Sequence, residues 1–324
     1  MSAGARRFWT PSRTALVVFV LLVVAAGARY EHFLSARVAA NLLASAAVLG
    51  IAAIGATFVI QSGGIDLSVG ALAALASVAI AGQVGAGVPP ALAIALALAG
   101  GTSFGLGMGW WIHHLHVPPF IVTLGGMFLA RGLALWTAPE SIPIEHPHYR
   151  WLSSAGIPLG DGLGLPLPAL LLLGAVALAA WVSTQTRLGR NALAIGGDEE
   201  AALLLGVPLR ATRLGVYALS GLCSALAGVA FTLYSSSGDS TAGVGLELEA
   251  IAAAVVGGVS LSGGTGTIPG AFLGVLLFGL IQTALDFEGT LGSGWTRVAI
   301  GLLLLLFLGL QRLLSLRPVA PARR

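Results

Sequence analysis

Residues 47–82 read AVLGIAAIGATFVIQSGGIDLSVGALAALASVAIAG. Two apolar runs flank a polar stretch, QSGGIDLSVG, from Gln61 to Gly70. A hydrocarbon core about 30 Å thick takes roughly 20 apolar residues per helix. It offers no water to a backbone that leaves the helix. The polar stretch must therefore supply its own hydrogen-bond partners. Gly63 and Gly64 permit the backbone angles that end one helix and turn the chain. Asp66 is then placed to cap the next helix by accepting from its first free N–H groups. The competing reading makes Asp66 a substrate or proton ligand, a common role for acids inside membranes.

A second copy of the pattern lies at 257–264, GGVSLSGG against GGIDLSVG at 63–70. Gly257, Gly258, Gly263 and Gly264 repeat the glycine punctuation, and Ser260 stands where Asp66 stood. Serine and aspartate are both good helix caps, so Ser260 is expected to take over that role. The two copies are expected at one membrane face, as in a duplicated helix–break–helix unit.

The rest of the chain sets the class. Of 324 residues, 56% are hydrophobic and 9% charged, against about 25% charged in soluble domains. An all-α polytopic membrane bundle follows. Ten spans are expected near 12–29, 39–61, 66–83, 89–111, 118–137, 166–184, 212–234, 247–262, 267–287 and 295–313. The third and eighth are short, which suggests tilt or incomplete crossing. Residues 12–313 form one membrane domain between tails at 1–11 and 314–324. The basic N-terminus with its apolar run resembles a signal peptide but reads as an uncleaved first span, because nine further apolar segments follow.

All sixteen basic residues are arginine. A phosphate-cradling Gly-Lys-Ser/Thr loop is therefore excluded, and any ATP must be bound by another chain. Cys223 is the sole cysteine, so no internal disulfide forms. With both termini cytoplasmic, eleven arginines (Arg6, Arg7, Arg13, Arg187, Arg190, Arg210, Arg213, Arg312, Arg317, Arg323 and Arg324) fall inside and four (Arg29, Arg37, Arg150 and Arg297) outside. That bias fixes the expected orientation.

Two loops are long. The outer one, 138–165, is broken by prolines. The inner one, 185–211, contains a short helix: Asp198 is its cap, Glu199 and Glu200 suit its first turn, and Gly206 with Pro208 ends it. Ala201, Leu204 and Leu205 form an apolar face that wants either a partner or the bundle itself. His113, His114 and His116 read as an interfacial turn rather than a metal site, and no metal or cofactor is expected.

Three stretches, TFVIQSGGIDLSVGALAALASV, PPFIVTLGGMFLARGLAL and LEAIAAAVVGGVSLSGGTGTIPGAFLGVLLFGLIQ, resemble the permease subunits of bacterial sugar ABC importers of the ribose/xylose type. AIGGDEEAALLLGV looks like that family's cytoplasmic loop motif. The resemblance runs from about residue 40 to 313. ESIPIEHPHYRWLSS, TAGVGLELEAIA and DFEGTLGSGWTRVAIGLLLLLFLGLQR look more narrowly like one of the two galactofuranose importer permeases. Glu249, Pro269 and Gly294 depart from the expected pattern.

The resemblance implies a non-catalytic transport subunit with three partners: a cytoplasmic ATPase, a second permease (paralogue or self) and a periplasmic sugar-binding protein. The helix at 198–206 would couple to the ATPase, and no nucleic acid is involved. Ribose, xylose or another small solute are alternative cargoes; an ion-coupled secondary transporter is the alternative class. Each unpaired polar group of a solute in hydrocarbon costs roughly 2–7 kcal/mol, so polar side chains must line the route. Candidates are Asn41, Thr57, Gln61, Thr123, Arg131, Ser220, Tyr234 and Gln282, with Ser45 and Ser224 beside them. Arg131 would cost about 2.5–3.5 kcal/mol near the bilayer centre, so it is expected to pair with an outer carboxylate or to serve the pathway.

Overall fold

A computed structural model describes residues 11–160 and 163–289, with scattered positions between 294 and 309. The helices run in the expected order. They are α1 (Pro11–Arg29), α2 (Ala36–Ser45), α3 (Ala47–Gln61), α4 (Val69–Gly85), α5 (Pro90–His114), α6 (Pro119–Thr137), α7 (Pro147–Ser154), α8 (Leu167–Gln185), α9 (Arg187–Gly197), α10 (Glu199–Leu204), α11 (Leu209–Ser235), α12 (Leu246–Val256) and α13 (Ile268–Glu288). Proline opens several of them, as its fixed φ and missing N–H suit a first helical turn.

Among the described residues, α1, α5, α6, α8, α11 and α13 are long and apolar enough to cross a membrane. The bent pair α2–α3, with an angle of 53° at Ala46, makes a seventh. The two short candidates are short for a structural reason. The chain before α4 is irregular from Gly64 to Leu67 rather than helical. The eighth candidate keeps only the 11 residues of α12, about 16 Å of helix. The tenth candidate falls mostly outside the described residues.

α3 is the axle of the bundle. All its residues except Val48 and Leu49 are buried, as expected of a helix that is apolar all round. α11, 27 residues and about 40 Å long, packs against α3, α4 and α5. Its contact with α5 uses small residues at four-residue spacing, which let helix backbones approach closely in lipid. Gly101, Gly105 and Gly109 of α5 stand against Tyr217, Gly221 and Ala225 of α11. A Cβ added at Gly105 would overlap the Tyr217 carbonyl oxygen, whereas Gly107 on the same helix faces open space.

The loop expected at 138–165 is ordered rather than merely irregular. β1 (Ile142–Pro143) pairs antiparallel with β4 (Ser237–Gly238), and β2 (Gly156–Gly160) with β3 (Leu163–Pro166). α7 is pinned to α11 by Tyr149, which is buried and hydrogen-bonds Thr232. Burial pushes the Tyr149 phenol up to about 12, so it stays protonated at physiological pH. These elements cluster at the end of the bundle opposite α9 and α10.

Gly105→Leu is expected to lower stability by about 1–3 kcal/mol or more through overpacking, while Gly107→Leu leaves it within about 0.5 kcal/mol. Unfolding midpoints of the two variants in the same detergent check this.

Candidate functional site: a junction of three glycine pairs

α3 stops at Gln61, and Gly63 turns the chain with φ of 81°. The second break, 257–267, contains Gly258, Gly263, Gly264 and Gly266, all at positive φ. The two breaks touch. Gly264 N donates to the Gln61 carbonyl at 3.0 Å, and Gln61 Nε2 donates to the Gly266 carbonyl at 3.1 Å. A Cβ at Gly263 would lie 3.0 Å from Gly63 Cα.

A third glycine pair closes the junction. α9 ends in Gly196 and Gly197, directly before the short helix α10. A Cβ at Gly196 would overlap the Gln61 carbonyl and stand 2.6 Å from Gly264 N. A Cβ at Gly264 would lie 2.6 Å from Gly197 Cα. Only a residue without a side chain fits at this crossing. The loop carrying α10 is thus wedged against both membrane breaks at once.

α10 itself is built as its sequence suggests. Asp198 accepts from Ala201 N at 2.9 Å, and Glu199 pairs with Arg213 of α11. Gly206 turns the chain with φ of 78°. Ala202 is buried against the bundle, while Leu204 and Leu205 are 88% and 83% exposed. The apolar face at Leu204 and Leu205 does not fold back onto this chain.

Asp66 is buried but does not cap α4. The residue before α4 is Ser68, whose side chain makes no cap bond. Asp66 Oδ1 instead accepts from Ser68 N at 2.8 Å and Ser68 Oγ at 2.6 Å, and Oδ2 accepts from Ser220 Oγ at 2.7 Å. It ties the irregular break to the middle of α11. Ser260 does not cap either: its hydroxyl meets Ser262 Oγ, and Thr267 caps α13 by accepting from Gly270 N at 3.2 Å. The copies thus share glycine punctuation but not the cap expected at Asp66 and Ser260, because Ser68 and Ser220 occupy both Asp66 oxygens and Ser260 spends its hydroxyl on Ser262.

The remaining candidates divide into groups. Thr123 Oγ1 donates to the Ile65 carbonyl at 3.0 Å, so with Gln61 and Ser220 it organises the first break. Thr57 and Ser224 bond carbonyls of their own helices. Asn41, Ser45 and Tyr234 line a cavity of about 470 Å³ at the far end, together with Ser153, Thr283 and Asp286. Gln282 donates to Asp286 at 2.8 Å beside it. Arg131 pairs with no outer carboxylate by hydrogen bond among the described residues; Nη1 donates to the carbonyls of Ser240 and Ala242 at 2.6 and 2.8 Å. Sequence reasoning missed Tyr217, buried with its hydroxyl against Gly64, and passed over Gly196–Gly197 although a third Gly-Gly pair before an acidic helix start is visible in the sequence. Among the described residues no group of three His, Cys, Asp or Glu could hold a metal.

Comparison with known proteins decides the family. Residues 38–308 match the family described as branched-chain amino acid transport system / permease component. The chain belongs to this ABC permease family. The permease is 45% identical over 303 residues to the inner membrane ABC transporter permease protein YjfF of Escherichia coli K12, covering 93% of this chain and 92% of that protein. It is 39% identical over 293 residues to the ribose import permease protein RbsC of Bacillus subtilis 168, covering 90% of each. It is 33% identical over 308 residues to the fructose import permease protein FruG of Bifidobacterium longum, covering 93% of this chain and 90% of that protein. Members of this family are transport subunits, so the permease is not an enzyme.

Asp66→Ala would leave the Ser68 and Ser220 hydroxyls unpaired in the interior, a loss of about 1–3 kcal/mol. Asp66→Asn keeps an acceptor for Ser68, and the Ser220 hydroxyl can turn to accept from the amide. Thermal unfolding should therefore rank wild type close to Asp66→Asn and both well above Asp66→Ala.

Proposed function

We propose that the permease is the translocating subunit of an importer that moves a monosaccharide across the inner membrane, driven by a separate ATPase. The wedge of Gly196–Gly197 between the two breaks, one residue ahead of a helix with bare leucines, carries this reading. Leu204 and Leu205 seat in a groove on the ATPase, and Glu199 with Arg213 holds α10 at a fixed angle to α11. When the ATPase closes on ATP, α10 is displaced. Gly196 is packed on the backbones of both breaks, so displacement of α10 reaches Gln61–Gly64 and Gly263–Gly264 together. The breaks are the flexible points of two spans, and their shift opens or shuts the route at this end.

Orientation follows from arginine placement: the α10 end is cytoplasmic, as are both termini, and α7 with the β-ribbons faces the periplasm. There a sugar-binding protein delivers its cargo, and a second permease, a paralogue or a second copy, completes the route. The transport names of RbsC and FruG support a sugar as cargo. The likeness of residues 140–154 to the galactofuranose permeases makes galactofuranose the first sugar to test. That segment is tied to the mouth of the bundle through β1 and β4.

Reconstitution with the ATPase, the binding protein and the second permease tests the reading. ATP-driven uptake of labelled sugar is expected, and uptake driven by an ion gradient without ATP would contradict it. Leu204→Asp with Leu205→Asp should cut ATP-driven uptake at least tenfold with the unfolding midpoint unchanged, since both side chains already face solvent.

A further inference from the structure

The end of the bundle that carries α7 and the β-ribbons holds an open pocket whose origin is the bent span. The 53° bend at Ala46 turns α2 off the line of α3. α3 packs along α11, whereas α2 packs on α8 and α13. The gap left between α2 and the last turn of α11 is the cavity of about 470 Å³. Asn41 and Ser45 line it from α2, Tyr234 from α11, Thr283 and Asp286 from α13, and Ser153 from α7.

The cavity does not lead into the bundle. Leu172 of α8 is fully buried, and a Cβ on Gly50 of α3 would lie 2.4 Å from its Cδ1. One turn further in, a Cβ on Gly55 would stand 3.0 Å from the Ser220 Cα of α11. α3, α8 and α11 are thus closed on one another below the pocket. A solute entering here would have nowhere to go, so the pocket suits a group that enters and withdraws.

Its chemistry is one-sided. The hydroxyls of Ser45, Ser153 and Thr283 donate to the carbonyls of Leu42, Arg150 and Gly279, so their oxygens are left to accept. Asp286 is exposed; its Oδ1 accepts from Gln282 Nε2 at 2.8 Å, and its Oδ2 has no hydrogen-bond partner among the described residues. The Asn41 amide and the Tyr234 hydroxyl are also unpartnered among the described residues. No arginine lines the cavity. The pocket therefore offers a fixed negative charge, surplus acceptors and an aromatic ring that is 60% exposed. A guanidinium carries five donors and no acceptor, and it lies well on an aromatic face. Glu31, Glu140, Glu145 and Glu288 add negative charge to the same end, against Arg29, Arg37 and Arg150. Such an excess steers a basic surface toward it.

We propose that this pocket receives an arginine side chain of the sugar-binding protein when that protein docks on the permease. Asp286 pairs with the guanidinium, and Gln282 braces Asp286. Asn41, Ser45 and Thr283 take up its remaining donors, and Tyr234 lies against it. The proposal rests on the importer reading. It gives Asn41, Tyr234 and Gln282 a docking role instead of a place on the solute route.

Binding of the sugar-loaded binding protein to the complete complex in nanodiscs tests this. Asp286→Asn should raise Kd about tenfold or more at low ionic strength, and far less at high salt. Its unfolding midpoint should match wild type, because Asp286 is exposed. Glu140→Gln, an exposed acid outside the pocket, should change Kd less than about threefold. Each surface arginine of the binding protein is then changed to alanine in turn. One such change should weaken binding to the wild-type permease about tenfold and to Asp286→Asn no further. Losses that add for every arginine overturn the docking site, as does an unaltered Kd in Asp286→Asn. An unaltered Kd with a raised KM for the sugar would assign the pocket to the solute instead. A wild-type complex that neither binds such a protein nor imports sugar with ATP overturns the importer reading, and the docking site with it.

Discussion

Backbone N–H and C=O groups that leave a helix inside a membrane must find partners within the protein. Three segments of this permease interrupt its helices, and nearly every other feature follows from how they are satisfied. The first break lends its Gln61 carbonyl to Gly264 of the second. Thr123 of α6 holds Ile65, and Ser12 of α1 holds the Gly257 carbonyl at 3.1 Å. The third irregular segment is held by Ser77 of α4, which accepts from Asp239 N, and by Arg131. Each break is thus completed by another element, so none can shift without dragging its neighbours. Lone loops would be soft; these are linked.

Close approach is the second half of the same constraint. Hydrophobic burial does not drive helices together in lipid, where the surroundings are equally apolar. Small residues let backbones meet instead, along α5 and α11 and again where Gly196 crosses both breaks. The exposed leucines of α10 sit at the end of this stiff column.

Much of the architecture was legible because lipid makes strong demands on sequence. Among the described residues, apolar length located six of the ten expected spans and the bent α2–α3 pair as a seventh, and Asp198 with its following glutamates located α10. The contacts were not legible, because they depend on which neighbours pack against each break. Asp66 looked like a cap by position, yet Ser220, 154 residues away, supplies its third donor. Ser260 looked equivalent to Asp66 by alignment, yet Thr267 lies nearer the start of α13. Arg131 looked in want of a carboxylate, but the unwound chain beside it offers carbonyls. Its choice of partner could be foreseen only by knowing that segment 239–245, which lies between two expected spans, packs beside α6.

Transmission from α10 to the breaks is the central claim, and a distance measurement tests it most directly. Spin labels at Ser262→Cys, on the second break, and Thr184→Cys, near the end of α8, both replace exposed residues. In the assembled complex their separation should shift by several ångströms between nucleotide-free and ATP-trapped states. An unchanged distance distribution in a complex that still transports would contradict the account.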